Sequence, residues 1–124
     1  MNLKNLELHA VVNTVDKLSM SPLKVDNIKK MLDLRKELIK CSQETAEVQK
    51  AIFESYGIDK SVNGIYKYSD HEKHDEIKSK VVELFEQNVT ISTTNFLSES
   101  EFYESSKNCS LPQIESLREL LLEF

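Results

Sequence analysis

The fold is decided by residues 22–57, which read PLKVDNIKKMLDLRKELIKCSQETAEVQKAIFESYG. Apolar side chains recur there at alternating spacings of three and four, the pattern of one face of an α-helix. This face comprises Met31, Leu34, Leu38, Cys41, Thr45, Val48 and Ile52. A second row repeats every seven residues and widens the stripe, and it comprises Leu32, Ile39, Ala46 and Phe53. Because no Gly or Pro interrupts it before Gly57, the pattern predicts one helix from about Pro22 to Tyr56. Such a stripe must be covered by other helices, either its own or a partner's.

A shorter helix is predicted before the long one. Apolar residues fall at helical spacing from Leu3 to Leu18, at Leu3, Leu6, Ala10, Val11, Thr14, Val15 and Leu18. Pro22 suits the first turn of the long helix, with Ser21 as its N-cap. A connector this short predicts a helical hairpin whose arms are antiparallel and unequal in length. The C-terminal half of the long helix therefore needs another cover.

Two further helices are predicted in the second half of the chain. The third runs from Asp70 to about Gln87, opened by a capping box of Ser69 and Glu72. The last is short and starts at Ser110-Leu111-Pro112. We expect both helices to pack on the long one.

Short strands complete the prediction. Asn63-Gly64 between β-prone residues is typical of a hairpin turn. The β-branched run Val89–Thr94 predicts a strand, which we expect to pair with Ile65–Tyr68. The expected fold is mainly α with a minor β element: a helical hairpin of unequal arms, two further helices and a two- or three-stranded β element. Its length fits a single domain, 1–124.

Composition agrees with a helical protein that does not cross a membrane. Of the 124 residues, 40% are apolar and 30% charged, and only two are Gly and two Pro. No apolar run approaches the roughly 20 residues needed to span a bilayer. The first residues lack the basic region and apolar block of a secretory signal. We therefore expect the protein to stay in the cell that makes it or to leave inside a particle, with Cys41 and Cys109 as buried thiols.

Charge differs between the two halves of the chain. Residues 1–60 carry ten Lys/Arg and nine Asp/Glu, a net charge of +1, whereas residues 61–124 carry six and twelve, a net charge of −6. The basic residues of the long helix are Lys24, Lys29, Lys30, Arg35, Lys36 and Lys40, with Asp26, Asp33 and Glu37 among them. Because phosphate neutralisation needs clustered Lys and Arg, this mixture indicates a solvated helix face and disfavours nucleic acid as a partner.

Potential metal ligands gather in one segment, Asp70-His71-Glu72-Lys73-His74-Asp75. His71 and His74 are three residues apart on the predicted helix and could share a metal. Acidic residues also belong at a helix N-terminus, where they complement the positive end of the dipole, and we favour this ordinary helix start. No nucleophile–base signature surrounds Cys41 or Cys109, and there is no Gly-rich phosphate loop. The sequence predicts no catalytic residue, no metal site and no cofactor.

An acidic, irregular segment near the C-terminus carries three aromatic residues. Phe96, Phe102 and Tyr103 lie there among serines and glutamates. Aromatic residues in such a setting often anchor protein contacts, but they can equally cover the long helix, and core packing is favoured. The candidate partner-contact residues of this segment are Phe96, Glu99, Glu101, Phe102, Tyr103 and Glu104.

Several junctions and helix ends follow one another in a characteristic order: Asn5–Leu8, Ser21–Val25, Ala51–Gly57, Asn63–Tyr66, Val82–Gln87 with Val89–Ile91, and Leu111–Leu117. In this order the chain resembles a family of small uncharacterised proteins encoded by phages and prophages of Gram-positive bacteria. The resemblance spans nearly the whole chain, and it is a pattern of helices and junctions rather than a chemical motif. It implies a phage origin and transfers no catalytic residues.

The expected function follows from this resemblance and from the long helix. We expect a non-enzymatic phage protein that acts by protein–protein contacts, as a structural or assembly/accessory component of the phage particle. Its partner would be a phage structural protein or a second copy in a homo-oligomer. The alternative is a small cytosolic phage protein that inhibits a host factor, such as a defence or nucleic-acid-handling machine. An acidic C-terminal half would suit contact with a basic surface. The expected location is the phage particle or the cytoplasm of the infected host.

Overall fold

The structure, a computed structural model, describes residues 1–59, 61–62 and 65–123. Within these residues the elements follow in the order β1 (Asn2–Lys4), α1 (Asn5–Val15), α2 (Val25–Ser55), β2 (Ser61–Val62), β3 (Ile65–Tyr66), α3 (His74–Glu86), β4 (Asn88–Thr90), α4 (Glu99–Ser105) and α5 (Leu111–Leu121). The predicted fold class, mainly α with a minor β element, is confirmed.

The long helix α2 is the frame of the fold. It spans 31 residues and ends where Gly57 takes up a positive φ of 77°. In this conformation the amide of Ile58 bonds to the carbonyl of Phe53, and such a bond satisfies the last turn of a helix. The predicted cap was wrong: α2 begins after Lys24 rather than at Ser21. The preceding residues instead form a turn in which Leu23 donates to the carbonyl of Met20 at 3.0 Å.

The predicted helical hairpin is confirmed by contacts at both ends of α1. Asn5, at the start of α1, accepts a 2.9 Å hydrogen bond from Thr45 Oγ1. Asp16, at its end, forms a 3.0 Å ion pair with Arg35. Moving forward along α1 therefore means moving backward along α2, so the two helices are antiparallel. As expected, α1 does not cover the whole of α2, and α3 packs beside its C-terminal half, where Val48 and Ile52 lie near Leu84.

A buried polar junction joins the three helices where they meet. Besides accepting from Thr45, the Asn5 side chain donates through Nδ2 to the carbonyl of Leu84 in α3 at 2.8 Å, and its backbone amide donates to Gln87 O at 2.9 Å. Asn5 is buried, and these bonds satisfy its side-chain groups. One side chain thus fixes the start of α1 against both α2 and the end of α3.

The strands pair differently from the prediction. Strand β1 pairs antiparallel with β4, with Leu3 opposite Val89, so Leu3 does not belong to the first helix. The predicted strand Val89–Thr94 is confirmed only as far as Thr90, and its expected pairing with Ile65–Tyr68 was wrong. Strands β2 and β3 do pair antiparallel, as a hairpin requires. The predicted turn at Asn63-Gly64 lies outside the described residues.

Because the chain begins with a strand, α1 starts later than predicted and turns different residues toward the core. Leu8 and Val15 are buried, whereas Leu6 and Ala10, which the helical spacing placed on the inner face, are exposed. The reason is that the predicted helix included Leu3 and took its phase from it, whereas α1 starts only at Asn5.

One apolar core unites α1, α2 and the C-terminal segments. Its largest fully buried members are Leu8, Met31, Leu34, Leu38, Ile91, Leu97, Phe102, Leu117, Leu120 and Leu121. Helix α5 shares this core, but its closest backbone contacts are with α1 rather than with α2, on which it was expected to pack. Farther along α2, Phe53 is covered by the β2–β3 region, where its ring stacks on Tyr66 at 4.2 Å between ring centroids.

The segment before α4 is held against the C-terminal end of α5. Asn95 has a φ of 57°, in the left-handed region that Asn tolerates. Its side-chain amide donates to the carbonyls of Glu119 at 2.7 Å and Leu122 at 2.9 Å. Since the last carbonyls of a helix lack partners within it, Asn95 closes α5 from outside and seats the adjacent Phe96 in the core.

Candidate functional site

A row of apolar side chains that the sequence predicts to be covered lies exposed on the outer face of α2. Of the row that repeats every seven residues, only Phe53 is buried, whereas Leu32 and Ile39 are 45% and 43% exposed. Val25 extends the same row toward the N-terminus and is 69% exposed. Residues seven apart drift by only about 20° around an α-helix, so these side chains form one continuous line. We call the exposed residues Val25, Leu32, Ile39 and Ala46 the outer row.

The outer row is exposed because the core lies on another side of the helix. At about 100° per residue, Leu34 is roughly 200° around the axis from Leu32. Leu34 and Leu38 are fully buried among α1 and the C-terminal leucines, and this packing turns the outer row toward solvent. Exposed apolar side chains in a continuous line, rather than scattered singly, mark a candidate contact surface.

The charges beside the outer row are divided along the helix. Lys29 and Lys36 flank its N-terminal half, and Glu47 and Glu54 flank its C-terminal half, all on the same side of the row and all exposed. Lys29, Lys36 and Glu47 have no ion-pair partner among the residues that the structure describes, while Glu54 is 3.9 Å from Lys50. On this side of the row the N-terminal half therefore carries lysines and the C-terminal half glutamates, while the exposed Lys50 lies in line with the row itself.

Glu37 and Arg35 do not disturb this division, because each is bound elsewhere within the chain. The Glu37 carboxylate accepts hydrogen bonds from the Ser92 amide at 2.6 Å and the Thr93 amide at 3.2 Å. Burial by itself raises the pKa of Glu37, but the bonds from Ser92 and Thr93 outweigh it and lower the pKa below its ordinary value. Arg35 pairs with Asp16.

Glu101 was proposed as a partner contact, but the structure places it inside the protein as the cap of α2. It is buried, and its carboxylate accepts from the Lys24 amide at 3.0 Å and from Asn27 Nδ2 at 2.9 Å. Burial raises its pKa, but these bonds and one from Ser98 lower it more, so the pKa lies below its ordinary value. A carboxylate here also complements the positive end of the helix dipole.

Two more of the candidate contact residues are unavailable to a partner. Phe96 and Phe102 are buried in the core, as the favoured interpretation of the aromatics anticipated. The other three, Glu99, Tyr103 and Glu104, are exposed on α4, where Glu104 pairs with Lys107 at 2.8 Å. Of the six candidate contact residues, these three are the exposed ones.

The histidine segment is a junction between α2 and α3, and the predicted capping box was wrong. Helix α3 begins at His74 with Lys73 as a cap that makes no side-chain bond, and residues 69–73 form turns instead. His71 Nδ1 accepts from the Lys73 amide at 3.0 Å, so Nε2 carries the proton and donates to the Tyr56 carbonyl at 3.0 Å. Both ring nitrogens of His71 therefore bind the protein backbone.

Among the described residues, no three His, Cys, Asp or Glu side chains come together as a metal site. Cys41 and Cys109 are unpaired, and burial raises the pKa of both thiols, so neither carries the lowered pKa of an activated nucleophile.

A shallow recess of about 260 Å³ lies between α2 and α3, with Val48, Ile52 and Leu84 among its walls. In the part of the chain that the structure covers, no helix has the length and hydropathy of a membrane span.

Comparison with known proteins gives no matching family model, no matching curated protein and no matching solved structure. The resemblance to small phage proteins therefore stays a prediction.

Proposed function

We propose that this chain is a non-enzymatic phage protein that works through protein–protein contacts, as a structural or assembly component of the phage particle. The observation that carries the contact role is the outer row on a 31-residue helix. Burying such a line against another protein removes apolar surface from water, which favours association. The phage origin is supported by the resemblance in the order of helices and junctions.

The proposal is tested on a phage that encodes this chain. Particles are purified on a density gradient and analysed by quantitative mass spectrometry. We expect the chain to follow a major structural protein at a constant ratio across the particle fractions, because a structural component has a fixed number of positions. A chain found only in the lysate, and absent from the particle peak, would contradict the particle role.

The alternative, inhibition of a host factor, is favoured by the acidic surface of the second half. Between residues 65 and 123, every Asp and Glu except Glu101 is exposed. Such a surface suits a basic protein, including one that handles nucleic acid. A host protein retained by the wild-type chain, and released when Glu99 and Glu104 are both changed to Gln, would support this alternative. Glu101 must be left unchanged in that experiment, because it caps α2.

A further inference from the structure

The outer row and the divided charges together specify a partner. We infer that the outer face of α2 binds the same face of a second copy of this chain, with the two helices antiparallel about a two-fold axis. This inference rests on the proposed function, because it names the partner for the same surface.

The positions of the charges determine the register. Lys36 and Glu47 have their midpoint between Cys41 and Ser42, and Lys29 and Glu54 have the same midpoint. A two-fold axis through this point places each lysine opposite the corresponding glutamate of the second copy, so one register satisfies both pairs. In an antiparallel helix pair, residues on the same side of the contact line face each other across it. Lys36 and Glu47 meet this condition, as do Lys29 and Glu54, because all four lie within about 20° of one another around α2.

The same register brings the apolar side chains together. Ile39 lies about 4 Å along α2 from the axis, so it packs beside Ile39 and Ala46 of the second copy. Leu32 lies farther out, opposite the aliphatic part of Lys50 of the second copy, which can cover apolar surface while its amine stays in water. Ile39 is thus the central apolar contact of the proposed interface.

A parallel arrangement does not form these charge pairs. A parallel pair puts Lys29 and Lys36 of the two copies on opposite sides of the contact line, so neither lysine would meet Glu47 or Glu54 of the second copy. The length of α2 suits the antiparallel pair: in this register residues 28–55 of the two helices overlap, and at 1.5 Å per residue they give a contact line of about 42 Å. The contact line is narrow, because its apolar part is one residue wide, so we expect a reversible dimer rather than an obligate one.

The first test uses the purified chain in sedimentation velocity experiments from low-micromolar to near-millimolar concentration. We expect a monomer–dimer equilibrium, and we expect Ile39→Glu to weaken it by roughly tenfold or more, because two carboxylates are placed beside the axis. Val82→Glu is the matched control: Val82 is 50% exposed on α3, so the same substitution there should leave the dimer unchanged. Circular dichroism and melting curves establish that both variants fold.

The second test addresses the register. Lys36→Glu alone and Glu47→Lys alone should each weaken the dimer by roughly five- to tenfold at low salt, since each creates two like-charge pairs per dimer. The double variant Lys36→Glu/Glu47→Lys restores opposite charges and should regain the wild-type dissociation constant. The two positions are 11 residues apart in one helix, too far for rescue within a single copy.

Three results would overturn the inference: a wild-type chain that is monomeric throughout, a dimer that survives Ile39→Glu, or a double charge variant no stronger than the single ones. None of these bears on the particle role, which mass spectrometry measures separately. A monomeric chain inside particles would overturn the dimer and leave the proposed function standing. A dimeric chain that is absent from particles would overturn the proposed function and leave the dimer standing.

Discussion

Replacing Glu101 by Gln changes one charge at the N-terminal end of α2 and keeps the shape of the side chain. In the wild-type chain one carboxylate oxygen accepts from the Lys24 amide and the other from Asn27 Nδ2. A glutamine side chain has only one oxygen that can accept a hydrogen bond. Its NH₂ group replaces the second oxygen and cannot accept a bond from the donor there. One of the two bonds is therefore lost whichever way the new amide is turned.

The expected cost follows from these contacts. Losing one hydrogen bond to a charged group at a buried position costs about 1.5–3 kcal/mol. Removing the charge from the helix terminus adds about 0.3–1 kcal/mol. We therefore expect Glu101→Gln to lower the free energy of unfolding by about 2–4 kcal/mol. For a chain of this length, that corresponds to a fall in Tm of roughly 8–16 °C.

Thermal and urea unfolding at neutral pH, followed by circular dichroism, measure this change. Glu99→Gln is the matched control, because Glu99 lies in the same helix but is exposed and makes no hydrogen bond to α2 among the described residues. It should change the unfolding free energy by well under 1 kcal/mol. Equal losses in the two variants would refute the argument that Glu101 caps α2.

The dependence on pH gives an independent check. The pKa of Glu101 in the folded chain lies below its ordinary value of 4.5. A carboxylate with a lowered folded pKa contributes stability that is complete above the unfolded pKa and is lost as the pH falls through the folded pKa. The difference in stability between the wild type and Glu101→Gln should therefore be constant near neutral pH and shrink below about pH 4.5. A difference that stays constant into strong acid would show that the charge is not its cause.

Three further predictions concern other parts of the fold, each measured by urea unfolding. Leu38 is fully buried, so Leu38→Ala should cost about 2–5 kcal/mol, whereas Lys36→Ala on the exposed face should cost little; equal midpoints would show that Leu38 is not core. Asn5→Ala leaves the Leu84 carbonyl without its side-chain donor and should cost about 1–3 kcal/mol, and a neutral result would contradict the role of Asn5 as a junction. His71→Ala removes two bonds to the backbone and should cost about 1 kcal/mol, whereas His74→Ala should be nearly neutral, and the reverse order would contradict the assignment.

The helices were predictable because their signals are local. The three-and-four spacing of Met31, Leu34 and Leu38 identifies the inner face of α2 without any knowledge of what covers it. The last helix was equally clear, since Ser110 and Pro112 mark its start, and the structure shows a capping box between Ser110 and Gln113. Propensity and capping act within a few residues, so a single stretch of sequence contains them.

The strands and caps were not predictable in this way, because they depend on residues far apart in the chain. Leu3 has helical spacing to its neighbours, yet it pairs with Val89, and nothing near Leu3 indicates that pairing. Similarly, Ser21 satisfies the local preference for an N-cap, but the group that caps α2 is Glu101, 77 residues from Lys24. Where a distant side chain can provide the acceptor, the local preference does not decide the helix start.

The outer row was only partly predictable from the sequence. The seven-residue row was visible in the sequence, but a row of that kind can be buried in the core or exposed for a partner, and the apolar pattern is the same in both. The burial of Phe53 beside Tyr66, against the exposure of Leu32 and Ile39, separates the two outcomes within a single row. Burial shows that the row is exposed but not what binds it, and the charges beside the row give an argument for the partner. Lysines and glutamates that share one midpoint do not help a helix to pack on its own core, whereas they fit a second copy turned end to end. This fit is the reason for proposing that the surface binds a second copy.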